Sequence, residues 1–305
     1  MNQASADRER NARLMRLATR ASMLTAIVLI VAKLAAWLWT DSVSILATLM
    51  DSVLDAAASL VNLLAVRHAL EPADREHRFG HGKAEALAGL GQATFIAGSA
   101  GFLMLEAINR LLHPQPVGVI GVGIGVMAFA IAATLALLAI QRHVVSVTGS
   151  TAIKADRLHY TTDVLVNGSV IAALLLSAHG WPGFDSLFAL LIGLYILRNA
   201  WQIAHESIQH LMDRELPDEE RQRIRDIVLS HKHVRGMHDL RTRRAGTTTF
   251  IQLHLELDDD LTLMRAHAIS DAVEARIRKA YPDSEIIIHE DPASLMEPKP
   301  DFAEE

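Results

Sequence analysis

Two pairs of residues carry most of the chemical information in this sequence. Asp51 and Asp55 stand four apart within one apolar stretch, and His159 and Asp163 stand four apart at the start of another. A spacing of four places both members of a pair on one face of a helix. Carboxylates at membrane depth are costly and usually line a cavity or pathway. If the two faces oppose each other, three carboxylates and one imidazole converge. An oxygen-rich set with one nitrogen suits borderline or hard divalent ions, and four ligands suit tetrahedral zinc. The bland alternative is hydrogen bonding between helices, for which three intramembrane acids would be an expensive device.

Further candidate ligands lie outside these stretches. Asp74, His77 and His81 fall within eight residues and suit either a second ion or a solvated loop. His238, His254, His267, His289 and Asp291 are spread over the C-terminal third, and spacing alone does not bring them together. Glu290, between the last two, is open to reading as an added ligand or a solvent-facing acid. His68, His113, His143, His179, His231 and His233 read as surface residues. His205-Glu206 with His210 is not a zincin helix, because its imidazoles are five apart rather than four. The chain has no cysteine, so any metal is left to His, Asp and Glu.

The elements that must position these residues divide the chain in two. Residues 1–204 hold 15 Lys and Arg against 13 Asp and Glu, whereas residues 205–305 hold 14 against 22. A nearly neutral apolar body therefore precedes an acidic tail, and the overall charge of −6 gives no support to nucleic-acid binding. Six stretches are long and apolar enough to cross a bilayer, near 21–39, 43–66, 86–112, 117–140, 159–178 and 182–204. Lys33 alone interrupts the first, and Asp51 and Asp55 the second. Turn formers separate them in pairs: Thr40-Asp41, His113-Pro114-Gln115-Pro116 and Gly180-Trp181-Pro182-Gly183.

Basic residues set the orientation. Arg8, Arg10, Arg13, Arg16 and Arg20 precede the first stretch. Arg67, Arg75, Arg78 and Lys83 follow the second, and Arg142, Lys154 and Arg157 follow the fourth. Both termini are expected on the cytoplasmic side. Trp37, Trp39 and Trp181 suit the opposite interface, and no cleavable signal peptide is expected ahead of the first stretch. Gly121 and Gly125, with Gly118 and Gly123 nearby, and Gly89, Gly91, Gly98 and Gly101 predict close helix packing.

After residue 205 the pattern turns soluble. A helix is expected from Pro217 to about 230, strands near 236–244 and 248–256 around Ala245-Gly246, a helix near 263–281, and a strand over 285–289. That αββαβ order predicts a small α+β domain of one sheet and one helical layer, while 296–305 reads as a frayed end.

With these residues in view the chain resembles the cation diffusion facilitator family, in its bacterial zinc and ferrous-iron efflux branch. The resemblance rests on Ser44-Ile45-Leu46-Ala47 with Asp51-Ser52-Val53-Leu54-Asp55, and on Phe79-Gly80-His81-Gly82-Lys83-Ala84-Glu85. His159-Tyr160-Thr161-Thr162-Asp163, and Asp213 with Pro217-Asp218-Glu219-Glu220, complete it over nearly the whole chain. It implies a six-helix transmembrane transport domain over 1–204 and a cytosolic, ferredoxin-like or metallochaperone-like, metal-binding dimerisation domain over 205–305. It implies Asp51, Asp55, His159 and Asp163 as the transport site, with Zn2+ or Fe2+ as the transported substrate. Asp74, His77 and His81 would form a tuning site, and His238, His254, His267, His289 and Asp291 would hold structural or regulatory Zn2+. It further implies a Y-shaped homodimer, a charge cluster of Lys83 with Asp213, a bacterial inner-membrane location, and exchange of metal for protons.

Metal and protons compete for the same ligands, so an inward proton gradient would drive export. His159 is the expected carrier of the exchanged proton, since imidazole titrates nearest neutrality. Manganese, cadmium or cobalt remain alternative cargoes, and a membrane metal sensor an alternative role. A hydrolase is disfavoured, for the chain has neither a Cys nucleophile nor a G-x-S-x-G elbow.

Overall fold

The computed structural model describes residues 3–40, 43–112, 121–178 and 184–295. The turns expected at 41, 113–116 and 180–183, Gly118, His179, Trp181 and the end at 296–305 lie outside the described residues. The chain forms two compact units, Asn11–Ile208, and Gln209–Glu305 together with Met1–Arg10.

The first unit is a helical bundle: α1 (Gln3–Thr40), α2 (Val43–Ala69), α3 (Lys83–Leu112), α4 (Gly121–Thr148), α5 (Thr151–Ala178) and α6 (Phe184–Leu211). Every helix reaches past the apolar stretch that predicted it, because polar residues continue the same helical hydrogen bonding beyond the apolar span. Five are long and apolar enough to cross a membrane by composition. The remaining one, α5, spans 28 residues, about 42 Å at 1.5 Å per residue. Its first half carries Lys154, Asp156, Arg157, His159 and Asp163.

Burial in this bundle suits a lipid solvent. Leu24, Ile27, Val31, Val61, Leu64, Phe102, Leu105 and Leu191 are exposed. A water-facing monomer rarely shows so continuous an apolar surface. Alanine and larger aliphatic side chains together fill the inside. Ala93, Ile96 and Ala100 of α3 pack with Ala155 and Leu158 of α5 and Ile196, Ala200 and Ile203 of α6. Met15, Ala18, Val66, Val144, Ala152 and Ile153 join α1, α2, α4 and α5. Among the described glycines of the expected set, close packing holds at Gly89, where a Cβ would stand 2.8 Å from Ser207 Oγ. Gly91, Gly98, Gly101 and Gly125 face open space, and the tight approach is instead at Gly193, against Met104. Glycine spacing gives no account of which face of a helix meets a neighbour.

Polar contacts bind α5 to its surroundings. Asp156 is fully buried; its Oδ2 accepts from Ser22 Oγ of α1 at 2.5 Å and from Gln141 Nε2 of α4 at 2.7 Å. Its Oδ1 accepts from Gln92 Nε2 of α3 at 3.1 Å. One turn along α5, the Tyr160 hydroxyl bonds Ser22 O at 3.3 Å and shares a 2.9 Å hydrogen bond with Ser59 of α2. At the start of α5, buried Glu85 of α3 accepts from the Ser150 hydroxyl and from the backbone N–H groups of Thr151 and Ala152. These are donors that a helix N-terminus leaves unsatisfied. Five helices, α5 included, are thus joined around the segment of α5 from Thr151 to Tyr160.

The second unit follows the predicted order: α7 (Asp218–Leu229), β1 (Gly236–Ala245), β2 (Thr248–Leu257), α8 (Leu263–Ala280) and β3 (Ser284–Pro292). Three acids in the first turn of α7 favour its positive end. The sheet order is β1-β2-β3, antiparallel then parallel. Gly246 makes the hairpin turn at φ +58°. Strand alternation sends Ile251, Leu253, Leu255 and Leu257 into a core with Ile224 and Val228 of α7 and Val273 and Ile277 of α8. The same alternation leaves Gln252, His254 and Glu256 on the other face. The register places His238 opposite His254, and His254 opposite His289. A bulge follows His238, with Asp239 at φ +47°.

Replacing Asp156 by Ala removes three buried hydrogen bonds, but Ser22 Oγ keeps Ala18 O and Gln141 Nε2 keeps Ser22 Oγ, so Gln92 Nε2 is the donor left without another acceptor among the described residues. Asp156→Ala is expected to cost about 1–3 kcal/mol in detergent unfolding, and Asp156→Asn, which keeps one acceptor, less. An unchanged unfolding midpoint for Asp156→Ala would mean the network contributes nothing.

Candidate metal-ion sites

The helix-bundle site grows from two stripes. On α2, residues 48, 51, 52 and 55 follow the i, i+3, i+4, i+7 pattern and so fall along one side of the helix. On α5, Asp156, His159 and Asp163 do the same. His159 Nε2 lies 3.0 Å from Asp55 Oδ1, linking the stripes across 104 residues of sequence. Asp163 completes the group, with one ligand atom from each of the three residues within 4.8 Å of the others. His159 is buried and the two acids are half-buried. Phe95 and Tyr160 flank the imidazole, at 6.3 and 5.4 Å between ring centroids.

Asp51 is exposed, one turn toward the start of α2, and is not in this three-residue group. Beside it stands Lys33 of α1, whose Nζ donates to Thr48 O at 2.9 Å and Ser52 Oγ at 2.6 Å. A donor set of two carboxylates and one imidazole, with a third carboxylate a turn away, matches the chemistry of a divalent cation.

Between α2 and α3, Asp74, His77 and His81 also converge, with ligand atoms within 4.8 Å. Asp74 Oδ1 accepts from the backbone N–H groups of His77 and Glu76, at 2.6 and 2.9 Å. The His77 N–H in particular holds the Asp74 carboxyl below its usual range, so it offers a charged oxygen. His81 is buried, 3.4 Å from Asp74 Oδ2, and its Nδ1 has no hydrogen-bond partner among the described residues. His68, read from sequence as a surface residue, is exposed, yet its ring packs 4.4 Å from that of His81. Gly80 turns the loop at φ +78°.

On the open face of the sheet, His238, His254 and Asp291 form a third group within 4.8 Å. His254 Nδ1 is 2.8 Å from Asp291 Oδ2, and His238 Nε2 is 3.6 Å from the same oxygen. His289 adjoins them, its Nε2 3.2 Å from Asp291 Oδ1 and its ring 4.7 Å from that of His254. His267 stands exposed on α8 beside Asp271 at 3.6 Å and is not part of this group. Asp213 Oδ1 is 3.3 Å from Arg243 Nη1 within its own unit.

Sequence reasoning passed over several neighbours of these groups. Glu256 bonds His238 Nδ1 at 2.9 Å and orients that ring, the way a carboxylate commonly backs a ligating imidazole. The His254-x-Glu256 alternation was the available signal. Asp156 was hidden because the apolar window of the fifth stretch opens at 159, whereas the helix opens at Thr151. Extending that window by one turn brings Asp156 onto the His159 and Asp163 stripe.

Comparison with known proteins places the whole chain. The family model of the cation efflux transmembrane domain matches residues 19–212, and that of the cation efflux protein cytoplasmic domain matches 216–293. The cation-efflux pump FieF of Klebsiella pneumoniae is 52% identical over 284 residues, covering 93% of this chain and 95% of its own. That of Salmonella choleraesuis is 53% identical over 284 residues, covering 92% and 95%. A solved structure of CzrB in its zinc form is 33% identical with a TM-score of 0.27, and spans 28% of this chain and 99% of its own. The chain therefore belongs to the cation efflux family, the cation diffusion facilitators, as a membrane transport protein with a helical transmembrane domain and a small α+β cytoplasmic domain.

Proposed function

We propose that this chain exports zinc or ferrous iron from the cytoplasm in exchange for protons, through a site made by Asp51, Asp55, His159 and Asp163. The observation that carries the reading is the convergence of Asp55, His159 and Asp163 from two helices of a membrane bundle. The name carried by the relatives, cation-efflux pump, supports the direction of transport. Zinc and iron rest on the ligand chemistry: one imidazole among carboxylates leans away from a purely oxygen-seeking ion such as manganese.

The hydrogen bond at the centre supplies a reason for exchange. An imidazole nitrogen and a carboxylate oxygen 3.0 Å apart share a proton. A metal ion bound through His159 Nε2 needs that nitrogen's lone pair and therefore takes the proton's place. One position then holds either a proton or a metal ion. A proton arriving from the outer side restores the His159–Asp55 bond and expels the metal, and an inward proton gradient drives export.

The loop group is proposed to bind a second ion and tune uptake. The sheet-face group is proposed to hold structural or regulatory zinc in a homodimer, with His267 contributing to that domain's metal binding and Lys83 and Asp213 to the dimer's charge cluster. The protein is proposed to lie in a bacterial inner membrane with both termini cytoplasmic, a reading supported by the basic residues before α1, between α2 and α3, and between α4 and α5.

Asp55→Ala, Asp163→Ala and Asp51→Ala, each reconstituted in proteoliposomes with a pH gradient, are expected to lower zinc and iron transport to background. Retained transport in Asp55→Ala or Asp163→Ala would remove the site. His159→Ala is expected to lose proton flux coupled to metal, read by an internal pH dye. His77→Ala is expected to change the transport rate only severalfold. A loss to background would make the loop essential rather than tuning. In the full chain, zinc at roughly a thousand times its dissociation constant is expected to stabilise the cytoplasmic domain by about 4 kcal/mol, and His254→Ala to abolish that gain. An equal gain in His254→Ala would place the zinc elsewhere.

A further inference from the structure

Lys33 is the single charged residue in the apolar stretch of α1, and no ligand chemistry requires it. A lysine in a membrane helix usually reaches along its stem to the nearest interface. Trp37 and Trp39 mark that interface four and six residues further along α1, about 6–9 Å away. The Lys33 ammonium goes elsewhere. It is held against α2 by Thr48 O at 2.9 Å and Ser52 Oγ at 2.6 Å. Ser52 is itself buried. Both partners are electrically neutral, so the charge of the ammonium is not offset by the groups it touches. Among the described residues, the acids within electrostatic reach are Asp55, Asp163 and Asp51, the three carboxylates of the proposed transport site.

We propose that Lys33 is a built-in counter-charge of the transport site, which sets the net charge of that site to −2, equal and opposite to its cargo. Resting on the transport reading above, this follows from charge balance in a medium where uncompensated charge is costly. Three ionised carboxylates and one ammonium leave two negative charges with His159 neutral, and one divalent ion cancels them. Without the ammonium, the loaded site would keep one negative charge inside the membrane or retain an additional proton. Lys33 also repels the bound ion at all times, which weakens binding and speeds release. Because the ammonium is tied to the carbonyl and hydroxyl of the α2 stripe, it travels with Asp51 and Asp55 and acts wherever that stripe is exposed. Lys33 therefore tunes the binding and release of a doubly charged cargo without needing to touch the ion.

Lys33→Gln removes the charge but keeps a donor for Thr48 and Ser52, Lys33→Met removes both, and Lys33→Arg keeps the charge. Zinc transport by the full chain in proteoliposomes, as a function of zinc concentration and pH, separates these roles. In Lys33→Gln the KM for zinc is expected to fall roughly tenfold as a repelling charge is lost. Its kcat is expected to fall with slower release, and its KM to rise more steeply as pH falls. Lys33→Met should shift the same way, and Lys33→Arg should stay near the parent protein. Parent-like KM and kcat in Lys33→Gln would overturn the proposal. So would an equal KM shift in Lys33→Arg, which would trace the effect to shape rather than charge. If the parent protein itself moves no divalent ion, the transport reading fails, and that outcome is distinct from either of these.

Discussion

Ionisable groups inside a bilayer have no water to compensate them, and this constraint organises the helical unit. Asp55 and His159 meet at 3.0 Å, and each lowers the cost of burying the other. Asp163 joins them, Lys33 stands by the acids of α2, and Asp156 is bound by one hydroxyl and two amides. Asp55, His159 and Asp156 are each answered by a group from another helix. The bundle is held together where its chemistry is concentrated, although its outer surface of leucine, valine and phenylalanine gives the helices little reason to prefer one neighbour over another.

That arrangement also divides the labour on α5. Glu85 caps its first turn, Asp156 fixes it to α1, α3 and α4, and one turn later His159 enters the site. The two polar layers differ in kind. Around Asp156 the partners are neutral and numerous, which favours a fixed geometry. Around His159 and Asp163 the partners are themselves ionisable, which favours exchange of one cation for another. A helix anchored at one layer and labile at the next suits the proposed transport site, which would load and unload without dismantling the bundle.

Much of this was legible in the sequence, because it depends on periodicity. The four-residue spacing of Asp51 with Asp55 and of His159 with Asp163 defined two stripes, and the structure brings three of those four residues together. Alternation over 251–257 gave both the buried face of the sheet and the face that carries His254. What escaped depends on contacts between distant segments. Nothing local shows that Ser22, Gln92 and Gln141 meet on Asp156, or that Lys33 turns toward α2 instead of the interface. The bulge at Asp239, which offsets β1 beyond His238, leaves no composition signal, since that residue adopts φ +47° without being glycine. The glycine spacings record where helices are able to approach, and among the described residues Gly89 meets a neighbour while Gly91, Gly98, Gly101 and Gly125 do not.

In the proposed transport site, α2 and α5 present their acids and one imidazole to a single shared ion, an arrangement that rests on the convergence of Asp55, His159 and Asp163. It is tested most directly by zinc X-ray absorption on the full chain carrying His77→Ala, His81→Ala, His238→Ala, His254→Ala and His289→Ala, loaded with one equivalent of zinc. The account predicts a four-coordinate shell with the multiple-scattering signature of one imidazole and otherwise oxygen, lost on further change of His159 to Ala. A shell with two or more imidazoles, or one unaltered when His159 is removed, would contradict it.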